Sequence, residues 1–210
     1  MRGAGRLFVF RHGETFWNRE RRIQGHKDSP LTALGVRQAL AMGESLRGRL
    51  ARPASVRFFV SPSGRCRQTA ALIAEGAGLA YGAADFRREL MEVGCGLWEG
   101  LLRTEVDARW PGATDARESD LWEYRPHEGE SYRMASVRIR SFLEELAAPG
   151  DAREGATGDN VIVGHGGTGK LLRGLAVGMS GPELLATLDH PQDAYFAIEN
   201  GEMTRIELEP

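Results

Sequence analysis

Arginine and histidine residues follow short apolar stretches at three places in the 210-residue sequence. Arg11 and His12 follow the first stretch, Arg65 lies shortly after the second, and His165 follows the third. If these stretches are parallel neighbouring strands, their carboxyl ends share one edge of a sheet, which is where open α/β sheets bind ligands. We therefore expect two arginines and two histidines to converge on one pocket.

This set of side chains suits phosphoryl transfer. Two guanidinium groups offer several hydrogen-bond donors to a tetrahedral oxyanion, and phosphate is the expected ligand. A neutral imidazole is nucleophilic near pH 7, so one histidine could attack phosphorus while the second donates a hydrogen bond to the phosphoryl oxygens. The transition state depends mostly on positioning and charge, so the set requires neither a metal nor a cofactor, but a leaving alkoxide still needs a carboxylic acid nearby.

The apolar stretches predict buried strands, because each is too short for a helix and rich in β-branched or aromatic residues. Asn200-Gly201 separates the last two, and this dipeptide predicts a hairpin, since a type I′ turn needs positive φ at both central residues. The predicted strands are residues 7–10, 56–60, 161–163, 195–198 and 203–208.

Helical periodicity between the strands predicts four helices. The first is capped by Thr32, the second covers residues 63–75, the third begins near Ser131, and the fourth follows Gly167. The inward faces predicted for the first, third and fourth helices are, in turn, Val36, Ala39, Leu40, Gly43, Leu46 and Leu50; Met134, Val137, Phe142 and Leu146; and Leu171, Leu172 and Leu175.

Strands that alternate with helices indicate an α/β fold, a three-layer sandwich with a mostly parallel central sheet and helices on both faces. Residues 76–130 differ, because Trp98, Trp110 and Trp122 lie among glycines and charges without a long period. We interpret this segment as an insertion over the carboxyl end of the strands, within a single domain that spans residues 1–210.

Composition excludes several classes of protein. The 27 basic and 29 acidic residues give a net charge of −2, without the basic excess of nucleic-acid-binding domains. No apolar run approaches the roughly 18 residues of a membrane span, and two cysteines, Cys66 and Cys95, cannot make a disulfide framework. We expect a soluble, cytoplasmic protein with no nucleic-acid or membrane partner; the sequence leaves the oligomeric state open.

The run Arg11-His12-Gly13-Glu14-Thr15, followed by Trp17-Asn18, resembles the signature of the histidine phosphatase superfamily, the phosphoglycerate mutase-like enzymes. The resemblance covers nearly the whole chain in the order of the family. Its further motifs are Arg22-Ile23-Gln24-Gly25, Asp28-Ser29-Pro30-Leu31-Thr32, Ser61-Pro62-Ser63-Gly64-Arg65, Glu92, Gly96-Leu97-Trp98-Glu99-Gly100 and His165-Gly166-Gly167.

Transferred position by position, the resemblance implies that His12 is the phosphorylated nucleophile. It implies that Arg11, Arg65 and His165 form the rest of the phosphate pocket, and it supplies no metal or cofactor site. The substrate-binding residues that it adds are Asn18, Gln24, Gly25 and the backbone N–H of Gly166.

Glu92 matches the proton donor of the family, which would later activate water against the phosphohistidine. Glu89 lies three residues earlier and is the competing candidate, although the spacing to the Trp98-Glu99-Gly100 motif favours Glu92. The remaining histidines have no defensible pairing and are interpreted as surface or satisfied structural residues: His26, His127 and His190.

Residues 164–170 match two other fingerprints. A Walker A loop needs Ser or Thr after its lysine to bind magnesium, but Leu171 follows Lys170, which argues against an NTPase. A dinucleotide-binding G-x-G-x-x-G motif needs several further strands, and the 40 residues after Lys170 are too few. A tight turn that brings backbone near a phosphate accounts for the same glycines.

Within the family, the sequence favours the phosphatase branch over the cofactor-dependent mutases. The mutases carry an arginine pair and a proline run in their insertion, and Arg-His-Tyr-Gly after the acid, whereas this chain has only Pro111 and Pro126 in residues 101–130 and Val93-Gly94-Cys95-Gly96 after Glu92. We therefore expect metal-independent hydrolysis of a small phosphorylated metabolite. A mutase and a non-catalytic phospholigand-binding protein remain as alternatives.

Overall fold

The computed structural model describes residues 5–148, 158–186 and 189–208. These ranges contain one sheet of six strands, and each strand predicted from the sequence is present within two residues of its expected ends. The strands are β1 (Leu7–Arg11), β2 (Arg57–Val60), β3 (Asp85–Phe86), β4 (Asn160–Gly164), β5 (Ala194–Glu199) and β6 (Glu202–Glu207).

The sheet is mostly parallel, in the order β3-β2-β4-β1-β5-β6. Strand β4 pairs in parallel with β1 on one side and with β2 on the other, and β3 pairs in parallel with β2. Strand β5 pairs antiparallel with β1, and β6 pairs antiparallel with β5. The register sets Arg11 beside Gly164 and Val60 beside Val163. The carboxyl ends of β1, β2 and β4 therefore stop at the same edge of the sheet, as the sequence predicts.

The hairpin between β5 and β6 is confirmed. Asn200 has a φ of 52° and Gly201 a φ of 84°, so both central residues of the turn have the positive φ that a type I′ turn requires. The hairpin extends the sheet on the side of β1 that faces away from β4.

Two long helices begin with a side-chain cap, at Thr32 as predicted and at Ser131, near which the third helix was expected to begin. The hydroxyl of Thr32 accepts the N–H of Gly35, and that of Ser131 accepts the N–H of Met134, which satisfies backbone donors left free in a first helical turn. The helices are α1 (Phe16–Arg19), α2 (Ala33–Arg47), α3 (Gly64–Ala77), α4 (Arg103–Arg109), α5 (Ala113–Ser119), α6 (Tyr132–Ala147), α7 (Gly166–Ala176) and α8 (Glu183–Ala186).

The four long helices cover the two faces of the sheet. Because side chains alternate along a strand, Phe8 and Val161 pack with α2 and α3 on one face, while Val9 and Ile162 pack with α6 and α7 on the other. The structure is therefore the three-layer α/β sandwich that the sequence predicts. None of the helices in the described ranges is long and apolar enough to cross a membrane.

Three residues predicted to face inward do not. Met134 and Val137 of α6 are 40% and 65% exposed, and Val36 of α2 is 37% exposed. On a helix with about 100° between residues, Val137 lies about 140° away from the buried Phe142. The prediction is confirmed at Phe142 and Leu146 on α6 and at Ala39, Gly43 and Leu46 on α2, which are buried. The buried positions that it missed are Ala135, Ile139 and Leu143 on α6 and Met42 on α2.

The segment 76–130 contributes to both the sheet and the core. Residues 85–86 form the edge strand β3, which pairs with β2. Leu90 and Val93 are buried in the core cluster under α6 and α7. Beyond them, Trp98 and Val106 form a satellite apolar cluster with Trp110 and with Ile23 from outside the segment.

His190 is buried between α7 and the sheet, so its interpretation as a surface or satisfied histidine is wrong. Its ring stacks on Phe196 at 5.7 Å and contacts the backbone of α7 at Gly169. Neither ring nitrogen has a hydrogen-bond partner among the described residues. Burial and the nearby charges of Arg173 and Arg11 lower the pKa of His190 well below its usual value of 6.5.

We predict that His190 makes the protein less stable as the pH falls. The folded protein holds this ring neutral, whereas the unfolded chain protonates it below pH 6.5, so stability present above that pH is lost in acid. His190→Leu should flatten the loss by up to about 1.4 kcal/mol per pH unit between pH 6.5 and 5.5, measured by urea unfolding. An unchanged slope would contradict this account.

Candidate active site

Backbone hydrogen bonds tie the three strand ends together. The N–H of His12 donates to the carbonyl of Gly164 at 3.0 Å, and the N–H of Ser61 donates to that of Val163 at 2.9 Å. These bonds continue the parallel ladder beyond the strands and bring their polar residues to one pocket of about 170 Å³. The predicted site residues in its wall are Arg11, His12, Asn18, Gln24, Gly25, Arg65 and Glu92.

His12 is a neutral imidazole with one defined tautomer. Its Nδ1 lies 2.9 Å from the carbonyl oxygen of Gly13, and because a carbonyl only accepts, Nδ1 carries the proton. Burial and the charges of Arg65 and Arg11 lower the pKa of His12 well below its usual value. The lone pair is therefore on Nε2, which has no hydrogen-bond partner in the described part of the chain.

His165 lies behind the pocket rather than in its wall. Its ring packs edge-on against that of His12 with 5.4 Å between centroids, and it is fully buried. Nδ1 accepts from the guanidinium of Arg65, so Nε2 carries the proton and donates to Ser61 Oγ at 2.7 Å. Direct contact between His165 and a phosphate would require exchange of one of these bonds.

Arg65 connects the histidines to the loop between α1 and α2. Besides His165, its guanidinium donates to the carbonyls of Gly25 and Lys27 and pairs with Asp28 at 3.1 Å. The Asp28 carboxylate also accepts backbone N–H groups of the first turn of α3. A charged, 1% exposed side chain is thereby fully hydrogen-bonded, which offsets the cost of its burial.

Arg11 is less completely bonded. Its Nη1 donates to the carbonyl of His190 at 2.8 Å, but its buried Nε has no partner among the described residues. Burial and the charge of Arg65 lower the pKa of Arg11. An oxyanion in the pocket would accept from Nε and would offset the repulsion between the two guanidinium groups.

The first turn of α7 borders the same space. A Cβ at Gly166 would lie 3.5 Å from the Arg11 guanidinium, so Gly166 lies beside that group, although it is not in the pocket wall. The next two N–H groups, of Gly167 and Thr168, each donate to the carboxylate of Glu92 at 3.0 Å. A Cβ at Gly167 would lie 2.7 Å from Glu92 Oε1, so a larger residue there would displace this carboxylate.

Of the two candidate acids, Glu92 and Glu89, the pocket wall contains only Glu92. Glu92 lies in the pocket wall, where its carboxylate also accepts the N–H of Val93 at 2.9 Å. Glu89 instead pairs with Arg87, which lowers the pKa of its carboxyl, and it does not line the pocket. His26, predicted to have no pairing, joins the two sides of the site, since a ring nitrogen lies 2.9 Å from the Glu92 carbonyl.

Glu99 is a residue of the site region whose role sequence reasoning missed. Its carboxylate accepts backbone N–H groups from His26, Lys27 and Cys95 at 2.8 to 3.2 Å. Gly25 has a φ of 53°, and a Cβ there would collide with this carboxylate. The sequence contains both Gly25 and the acid of Trp98-Glu99-Gly100, but nothing in it shows that the two residues touch. Only the structure reveals this contact.

The pocket wall also contains Arg22, Arg117 and Tyr132. Arg22 is engaged by Glu20, Glu105 and a backbone carbonyl. Arg117 of α5 has no carboxylate partner among the described residues. Burial and the neighbouring Glu92 raise the pKa of Tyr132 to about 12, so its hydroxyl keeps its proton. Sequence periodicity gave no sign of Arg117, because α5 is short and mostly exposed.

The described residues contain no group of three or more His, Cys, Asp or Glu side chains arranged to hold a metal ion. The two cysteines, Cys66 and Cys95, are free and buried, and burial raises the pKa of each thiol to about 12. Neither thiol is therefore a ready nucleophile.

Comparison with known proteins gives consistent matches. A glucosyl-3-phosphoglycerate phosphatase of Mycobacterium tuberculosis is 38% identical over 168 residues, which cover 78% of this chain and 71% of that protein. A probable phosphoglycerate mutase GpmB of Klebsiella pneumoniae is 46% identical over 161 residues, covering 76% and 69% of the two chains.

Solved structures agree with these sequence matches. The mycobacterial glucosyl-3-phosphoglycerate phosphatase in complex with VO3 superposes with a TM-score of 0.79 at 29% identity, covering 97% of this chain and 98% of that one. The α-ribazole phosphatase of Shigella flexneri also has a TM-score of 0.79, at 26% identity and with coverage of 97% and 95%. The family model of the histidine phosphatase superfamily, branch 1, matches residues 7–208, and this chain belongs to that superfamily.

Proposed function

We propose that this phosphatase hydrolyses a small-molecule phosphomonoester through a phosphohistidine at His12, without a metal. The observation that carries the proposal is the neutral, buried His12. Its Nδ1–H is fixed by the Gly13 carbonyl, so the Nε2 lone pair is available beside the unpartnered Arg11 Nε. A nucleophile and an oxyanion donor thus share one pocket with a carboxylic acid, Glu92.

In the first step, the substrate phosphate lies between the guanidinium groups of Arg11 and Arg65, with Asn18 and the Gly166 N–H as further donors. The unpartnered Arg11 Nε donates directly, whereas Arg65 donates after exchanging one of its protein acceptors for a phosphoryl oxygen. His12 Nε2 attacks phosphorus in line, and the P–O ester bond breaks. The proton of the Glu92 carboxyl moves to the leaving oxygen. His165 supports Arg65 and, after exchanging its bond with Ser61, donates Nε2–H to a phosphoryl oxygen.

In the second step, water replaces the departed alcohol. The Glu92 carboxylate accepts a proton from this water as its oxygen attacks phosphorus, and the N–P bond breaks. His12 leaves as the neutral imidazole, and inorganic phosphate is released. Glu92 regains its proton, so the cycle closes with no external acid, base or metal.

The substrate is proposed to carry a second negative charge and a hydrogen-bond donor. Arg117 lines the pocket without a carboxylate partner in the described part of the chain. The Oε1 of Gln24 is buried in the same wall and accepts no hydrogen bond from the described residues. A carboxylate near Arg117 and a hydroxyl near Gln24 would satisfy both groups.

A phosphorylated hydroxy acid has both features. The relative named glucosyl-3-phosphoglycerate phosphatase acts, by its name, on such a compound. Other relatives are named probable phosphoglycerate mutases, so mutase activity is the alternative function. We further infer a single domain acting in the cytoplasm, supported by the packing of Leu90 and Val93 of segment 76–130 into the main core and by two free cysteines.

Phosphate release from a panel of phosphomonoesters tests the proposal. Turnover is expected to survive excess chelator and to be lost in His12→Ala, because the nucleophile is removed while the arginine donors remain. Residual activity near that of the wild type would assign the nucleophile elsewhere. No release from any ester, with interconversion of phosphoglycerates instead, would establish the mutase alternative.

Glu92→Gln should discriminate between leaving groups. An alkyl phosphate needs a protonated leaving oxygen, so its kcat/KM should fall by about 100-fold or more. A nitrophenyl phosphate leaves as a stable anion and should lose far less. Glu89→Gln, outside the pocket, is the matched control and should affect both substrates alike and weakly. Equal large losses on both esters in Glu92→Gln would indicate a structural role instead.

Arg117 should determine the preference for a carboxylate. The pair 3-phosphoglycerate and glycerol 3-phosphate differ in one carboxylate, so the ratio of their kcat/KM values isolates its contribution. Arg117→Gln should lower this ratio about tenfold or more, the worth of one charge-assisted hydrogen bond. Arg109→Gln, the same charge change on the exposed face of α4, should leave the ratio unchanged. A ratio that Arg117→Gln does not alter would remove Arg117 from substrate recognition.

A further inference from the structure

Gln192 lies in the stretch 189–192, which passes beside the pocket on its way to β5. Its side-chain Nε2 is 3.1 Å from the carbonyl of His12 and 3.0 Å from Oδ1 of Asn18. These partners lie 180 and 174 positions away along the chain. One amide group therefore connects the last stretch before β5 to two residues of the proposed phosphate site.

The orientation of both amides follows from their neighbours. The backbone N–H of Thr15 can only donate, and it lies 3.1 Å from the Asn18 side-chain atom, which must therefore be the oxygen Oδ1. The Gln192 atom next to that oxygen must then be a donor, its NH2 group. A carbonyl oxygen of His12 as its second partner requires the same assignment. The two hydrogens of Nε2 thus have one acceptor each.

These hydrogen bonds fix the direction in which the NH2 group of Asn18 points. With Oδ1 occupied by Thr15 and Gln192, the Nδ2H2 group has no acceptor among the described residues. Asn18 lines the pocket together with Arg11 and His12. A reversed amide would instead present an oxygen to an incoming phosphate, which would repel it. The orientation of the Asn18 side-chain amide therefore affects anion binding.

We propose that Gln192 is a positioning residue that holds the NH2 of Asn18 toward the bound phosphate, an inference that rests on the proposed phosphate site. Gln192 itself does not line the pocket, so it acts through Asn18. Its backbone is well fixed for this task. The preceding carbonyls of Asp189 and His190 accept from Arg173 and Arg11, respectively.

The choice of side chain matters here. Glutamine is the residue that reaches both acceptors with one neutral NH2 group. The change Gln192→Glu would place a carboxylate beside two oxygens, and Asn18 could relieve this contact only by turning its NH2 group toward residue 192 and its oxygen toward the phosphate. The change Gln192→Met would keep the length of the side chain and remove both hydrogen bonds.

The test is a double-mutant cycle on the Kd of inorganic phosphate, measured by calorimetry on the full chain. Gln192→Met should weaken binding between about twofold and tenfold, as expected for one hydrogen bond. In an Asn18→Ala background the same change should have no effect beyond the error, because the residue through which Gln192 acts is gone. Gln192→Glu provides a second variant, and its loss should be larger with Asn18 present than with Asn18→Ala.

One further readout and one control variant separate positioning from loss of fold. In a 15N NMR spectrum, the Asn18 Nδ2H2 signals should shift on addition of phosphate in the wild type and should stay in place in Gln192→Met. Gln68→Glu is the control for the charge change, since Gln68 lies outside the pocket and its oxygen already accepts the N–H of Leu31.

The outcomes are distinct. Unchanged phosphate affinity in both Gln192 variants would overturn the inference, as would equal losses with and without Asn18. A protein that binds phosphate and shows this coupling, but releases none from any ester, would support the role of Gln192 and contradict the proposed hydrolysis. Failure of the wild type to bind phosphate at all would overturn both.

Discussion

The site depends on keeping the His12 imidazole neutral within a buried group of arginines. Desolvation and the charges of Arg65 and Arg11 disfavour a third positive charge, so the pKa of His12 lies well below its usual value. The same charges that suppress protonation attract a phosphate dianion. In the proposed mechanism, one electrostatic arrangement therefore supplies the nucleophile in its reactive form and the donors that its reaction needs.

The fold supplies hydrogen-bond partners for most of the polar groups in this arrangement. Parallel pairing of β4 with β1 and β2 brings three polar strand ends to one edge, where the hydrogen bonds of His12 and Ser61 continue the ladder. Arg65 is satisfied by carbonyls, Asp28 and His165, and the first turn of α7 is satisfied by Glu92. Arg11 Nε is a buried donor that the described residues leave without an acceptor, and a ligand oxygen in the pocket would satisfy it.

Much of this was predictable where the signal is local. Short apolar runs set the strands, and the residues directly after them had to meet once the strands were parallel. Helix faces were less predictable: Val137 and Met134 were assigned inward because apolar residues fit several registers, and only packing selects Ala135, Ile139 and Leu143. Glu99, Arg117 and Gln192 were missed because each acts through contacts with residues far away in the chain. A single amide or charged residue in the sequence does not indicate which distant residues it will contact.

The state of the His12 ring tests the central claim most directly. A 15N NMR titration of the histidine rings, with His12 assigned through His12→Ala, reports protonation and tautomer together. The account predicts a neutral ring with its proton on Nδ1 throughout pH 6 to 8, because burial and the two arginines hold its pKa well below the usual value and the Gly13 carbonyl accepts that proton. An imidazolium in this range, or a neutral ring protonated on Nε2, would contradict it, because Nε2 would then have no lone pair with which to attack phosphorus.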